Sequence, residues 1–184
     1  MIFSLYLLTL VIHLSNVPKF ELESSSINKL NLNGSTLATK WDITLTLSLS
    51  SIDVVCLYKA SYNNSILVNF NYSNEHYQVH LTTIPLVPFS VTKRSTKRKI
   101  INLKSQFSVS LNNDVVNDIV VSRSRGTINF GIVFFSLIKL RNNIYEHDFP
   151  LKIVCEPLSF VFSPRSSNWV LSRAITCMSQ VVSD

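Results

Sequence analysis

Residues 41–50 read Trp-Asp-Ile-Thr-Leu-Thr-Leu-Ser-Leu-Ser, apolar at every odd position and polar at every even one. A helix would scatter that pattern around its 3.6-residue turn, whereas a β-strand collects each set on its own face. The stretch predicts a strand whose Trp41, Ile43, Leu45, Leu47 and Leu49 face a core, with Thr44 and Thr46 facing water. Similar signals recur at 52–58, 66–72, 103–111, 127–140, 151–162 and 169–178, separated by turn clusters such as "NLNGS", "SYNNS" and "SPRSSN". About seven or eight strands with polar outer faces predict an all-β, antiparallel sandwich. A lipid-facing barrel does not fit, because the outer faces also carry Lys, Glu, Asp and Arg. One segment departs from the rhythm. In "NNDVVNDIVVSR" (112–123) the spacing of Val115, Val116, Ile119 and Val120 predicts a short amphipathic helix capped by Asn113 or Asp114.

The chain has only three glycines, Gly34, Gly126 and Gly131. Gly126 and Gly131 have the spacing of a phosphate-binding loop, but Ile132 and Val133 follow where Lys and Ser or Thr are needed. The histidines of "HYQVH", His76 and His80, would stand about 13 Å apart on one face of a strand, too far for one metal ion. Cys56 in "VVCLY" reads as a small buried side chain, and no pair of carboxylates is set up for acid–base work. The expectation is a non-enzymatic protein with no cofactor and no metal.

Residues 1–17 open with "MIFSLYLLTLVIHL", apolar apart from Ser4, Thr9 and His13. As a helix, residues 1–14 would reach about 21 Å, short of a roughly 30 Å hydrocarbon core. A short or truncated membrane anchor, an unusual signal peptide and a buried first element compete for this segment. The anchor is favoured because Pro18 stops a helix where polar sequence begins. The domain boundary falls there, with an anchor at 1–17 and one domain at 18–184. Sequons at Asn33, Asn63 and Asn71 agree with a secretory route.

The net charge is +6, which favours anionic partners. "KRSTKRK" concentrates Lys93, Arg94, Lys97, Arg98 and Lys99. It reads either as a solvated loop between strands or as a patch for anionic lipid. Aromatic residues are not interleaved with it, so nucleic acid is not an expected partner. Cys155 and Cys177 each lie eleven residues from Ser166, the centre of the "SPRSSN" turn. A symmetric hairpin would set them side by side, and a disulfide there would require an oxidising compartment. A single bulge would separate them.

The order of motifs resembles a known family. "NVPKF" after an apolar segment, Trp41 with its alternating strand, "PLVPFSV" at 85–91, the strand near 128–140 and "LKIVCEPLSFVF" leading to Cys177 are similar to the late-embryogenesis-abundant type 2 domain of the plant NHL proteins (the non-race-specific disease resistance and harpin-induced family). The resemblance covers roughly residues 18–178. It departs where the family has Asn-Pro-Asn after the Trp strand and this chain has "SLSSID" at 48–53. It implies an immunoglobulin/fibronectin-III-like β-sandwich with one helix, tethered to the plasma membrane with the domain extracytosolic. It also implies a binding role in plant stress or defence, with a protein or lipid partner. The alternative is a lipid-binding or lipid-transfer domain, whose mark would be an apolar cleft between the sheets fed by Phe134 and Phe135.

Overall fold

The computed structural model describes residues 18–48, 54–58, 66–74, 76–92, 98–141 and 146–182. Their strands are β1 (Lys19–Asn33), β2 (Thr36–Ser48), β3 (Val54–Tyr58), β4 (Ile66–Ser73), β5 (Gln78–Leu86), β6 (Phe89–Thr92) and β7 (Arg98–Ser110). After helix α1 (Asn113–Ser124) come β8 (Thr127–Arg141), β9 (Glu146–Ser163), β10 (Asn168–Leu171), β11 (Ile175–Thr176) and β12 (Met178–Val181). The described residues are thus all-β apart from one short helix. The ladders are antiparallel and run in the order β5-β4-β8-β9-β10-β1-β2-β7. This is one continuous sheet folded over on itself, with β10 joining its two halves. The Cα atoms of its outermost strands, β5 and β7, come within 8 Å of each other, yet no ladder joins them among the described residues.

The core sits where the halves face each other. Trp41 of β2 is fully buried and meets Phe70 of β4, Phe130 of β8 and Phe160 of β9 edge-on, at 5.2, 4.9 and 5.3 Å. Such contacts add to area burial, and truncating a residue like Trp41 costs about 3–5 kcal/mol. Ile43, Leu45 and Leu47 are buried beside it, as the alternation predicts. Thr46 departs from that pattern. It belongs to the outer face but is only 1% exposed, flanked by the longer Glu21 of β1 and Ile100 of β7, and its hydroxyl finds no partner.

β1 has no clear alternation in the sequence because two register shifts interrupt it, between Leu22 and Ser24 and between Ile27 and Lys29. Each shift returns the following residues to the core face. Phe20, Leu22, Ser25, Ile27 and Leu30 are all buried despite their irregular spacing. The helix forms where its pattern predicts, but its cap is Asn112, whose Oδ1 accepts from Val115 N at 2.9 Å. Val115 and Ile119 are its buried residues.

Candidate functional site

The register places Lys19 opposite Ser48, and Ser48 opposite Arg98. These three residues form one cross-strand row at one end of the body. With strands about 4.8 Å apart, the chain leading into β1 and the chain leading into β7 enter the fold about 10 Å from each other. The segment before β1 is the apolar stretch 1–17, and the residues just before β7 are the basic run. Lys93, Arg94 and Lys97 lie outside the described residues, as does segment 1–17 itself. The two described cations of the run are engaged within the fold. Arg98 pairs with Glu23, and Lys99 Nζ donates to the Ser90 carbonyl at 3.1 Å while standing 5.2 Å from the Phe89 ring centre. Lys19 lies 3.8 Å from Glu21. Exposed pairs of this kind contribute little and leave charge available to a surface.

Cys155 and Cys177 are joined by a disulfide, with Cα atoms 4.4 Å apart. A symmetric hairpin does not produce this pairing. Ser163 pairs with Asn168 and Phe160 with Leu171, a register that would set Cys155 against Thr176 if it continued. Instead the chain leaves β9 after Leu171 and pairs through β11 with Leu22 and Glu21 of β1, and Cys177 N donates to the Phe20 carbonyl at 2.9 Å. It rejoins β9 with Met178 opposite Val154, one residue out of step. That one-residue shift brings Cys177 to Cys155.

The other residues read as candidates are dispersed. Asn33 is exposed at the end of β1, just before the β1–β2 turn. Asn71 lies between β5 and β8, 8% exposed, with Oδ1 3.3 Å from His80 Nδ1, so the fold leaves no room there for a glycan. Asn63 lies outside the described residues. His80 Nε2 is 3.2 Å from Thr83 Oγ1, while His76 is exposed in the β4–β5 turn. No group of three or more His, Cys, Asp or Glu able to hold a metal ion occurs among the described residues. Phe134 and Phe135 do not share a cleft. Phe134 is in the core, and Phe135 lies on the opposite face of β8, 5.8 Å beneath Lys152 Nζ. Gly131 sits at a register shift of β8, where a Cβ would meet Glu156 Oε2 at 2.6 Å.

One polar cluster has no counterpart in the sequence reading. Asp118 of α1 accepts from Tyr72 Oη at 2.9 Å, Asn74 Nδ2 at 2.6 Å and Tyr77 Oη at 3.2 Å. Asn74 Oδ1 in turn accepts from the backbone N–H of His76 and Tyr77, both at 2.8 Å. The cluster fastens the helix to the β4–β5 turn. Partial burial works against the Asp118 charge, but these hydrogen bonds outweigh it and hold the carboxyl below its ordinary range. Tyr72 is pushed up to about 12, first by burial and then by the Asp118 carboxylate.

No helix among the described residues is long and apolar enough to cross a membrane. No family model, no curated protein and no solved structure matches the chain.

Proposed function

We infer that the chain is a non-enzymatic interaction domain, tethered to a membrane by residues 1–17, with the basic run beside the tether resting on anionic headgroups. The row Lys19–Ser48–Arg98 carries this reading, because it sets the first residues of β1 and β7, the strands that follow the apolar segment and the basic run in sequence, about 10 Å apart on one end of the body. An apolar membrane segment gains from adjacent cations, each worth about 1 kcal/mol at a charged surface. The disulfide supports an extracytosolic location, since such bonds persist in oxidising compartments. The resemblance to the plant NHL family supports a fibronectin-III-like variant of the sandwich and a role in stress or defence. The test is extraction of membranes carrying the full-length chain. Alkaline carbonate should leave it in the pellet, and replacing Lys93, Arg94 and Lys97 by Ala should weaken its binding to anionic vesicles, as added salt should. Complete release into the supernatant would refute the tether, and vesicle binding indifferent to charge would refute the patch.

A further inference from the structure

At the opposite end of the body, α1 and the β9–β10 hairpin enclose a hollow of about 390 Å³ lined by Val120, Arg123, Ser124, Phe162 and Trp169. Trp169 forms its floor at 6% exposure, with its ring centre 5.4 Å from that of Phe162. The rim is apolar and open, with Val120 51% and Phe162 42% exposed. Phe162 N donates to the Gly126 carbonyl at 3.2 Å, so the helix end and the hairpin hold together as one unit. The helix is apolar on two sides. Val115 and Ile119 turn into the core, whereas Val120 and Val121 turn out. A helix lying on a core needs only one such stripe.

The one charged residue that lines this hollow is basic. Arg123 lines it, Arg125 follows at the C-cap, and Arg165 is exposed in the turn of the hairpin. None of the three forms an ion pair among the described residues. The Asp118 carboxylate accepts from Tyr72, Asn74 and Tyr77 and also feels the charge of Arg125, which leaves Arg123 and Arg165 as the cations without an acidic neighbour among the described residues. No acidic residue lines the hollow.

We propose that this hollow docks an acidic peptide segment of a partner protein. A bulky apolar side chain enters over Trp169, and flanking carboxylates meet Arg123 and Arg165. The shape selects a peptide over a bilayer, because the apolar floor is recessed and a membrane is engaged by groups that protrude. The charge selects against a second copy of this chain, which would set arginine against arginine. The proposal goes beyond the tether and does not depend on it. Ion pairs at such a rim steer encounter and specify the partner, while the buried aromatic supplies the anchor.

The experiment selects short random peptides, displayed on a surface, against the full chain in non-ionic detergent. Enriched peptides should combine Trp, Phe or Leu with several Asp or Glu. Their affinity should fall about tenfold with Arg123→Glu and again with Val120→Asp. Both substitutions are at exposed positions, and unchanged melting curves would show that the fold is kept. Absence of enrichment, enrichment of peptides without acidic residues, or affinity for both variants equal to that for the native chain would overturn the proposal. It would also fall if the two variants lost binding to anionic vesicles while peptide binding stayed the same, since the face would then be a membrane contact.

Discussion

Removing the bridge between Cys155 and Cys177 should destabilise the protein in a way that follows from its topology. The bond closes a loop of 22 residues, and releasing that constraint costs about 3 kcal/mol in the chain-entropy model. Against the roughly 5–15 kcal/mol that holds a domain together, this is a large share. For a chain of this size it corresponds to a fall in melting temperature of about 6–12 °C. The loss should be concentrated in the C-terminal strand. Among the described residues β12 pairs only with β9 and contributes four residues, and the stretch before it is held by the short β11 ladder and the Cys177–Phe20 hydrogen bond. The assay is thermal unfolding with and without reductant, for the native chain and for Cys155→Ala with Cys177→Ala, with thiols counted by alkylation and mass. Reductant should lower the native midpoint to that of the double variant and leave the variant unchanged. Amide exchange at Met178–Val181 should rise before the rest of the sheet opens. Equal midpoints for the oxidised and fully reduced native chain would refute the reasoning.

Alkaline unfolding should report on Tyr72. Its folded pKa of about 12 lies above the ordinary value of about 10, so the contribution is complete below pH 10 and is lost as pH rises towards 12, to a total of about 3 kcal/mol. Tyr72→Phe should flatten that limb in stability measured against pH, and an unchanged slope would exclude Tyr72 as its source. Thr39 and Thr46 are 2% and 1% exposed, with hydroxyls that lack partners. Thr39→Val and Thr46→Val should therefore each stabilise by about 1 kcal/mol in urea titrations, and destabilisation by as much would mean that the hydroxyls are satisfied. In a secretory host and with Asn63→Gln in place, a glycosidase-sensitive mobility shift should vanish with Asn33→Gln and persist with Asn71→Gln, because the former is exposed and the latter buried. The reverse result would contradict the burial of β4.

What the sequence shows of this fold depends on how local each determinant is. Residues 41–48 were legible because their period of two is unbroken and each odd position reaches the core. β1 was not, because its two bulges place buried residues at 20, 22, 25, 27 and 30, a spacing that matches neither strand nor helix. Thr46 departs from the expected exposure although it stays on the outer face, and its burial comes from longer neighbours on the flanking strands, which no pattern within β2 records. The pairing of Cys155 with Cys177 follows from a different construction than the symmetric hairpin, since a turn centred half a residue earlier is offset by a detour to β1. The Asp118 cluster joins residues 41 to 46 positions apart. It carries no local signature, and nor does the row that brings Lys19 and Arg98 to one end.

The approach of β5 to β7 has a consequence for what the molecule can become. Among the described residues each is the last strand of its half, with backbone groups on one side that meet no ladder. Free edges of this kind can recruit strands from other molecules and propagate into fibrils. A third strand would need its neighbours about 10 Å apart, and β5 and β7 come within 8 Å of each other. Where they approach, each edge occupies the space that an incoming strand would require. Protection from polymerisation therefore resides in the closure of the folded body more than in the chemistry of either edge. Any substitution that lets the two halves drift apart would expose two growth points at once, even where the sheet itself stayed intact.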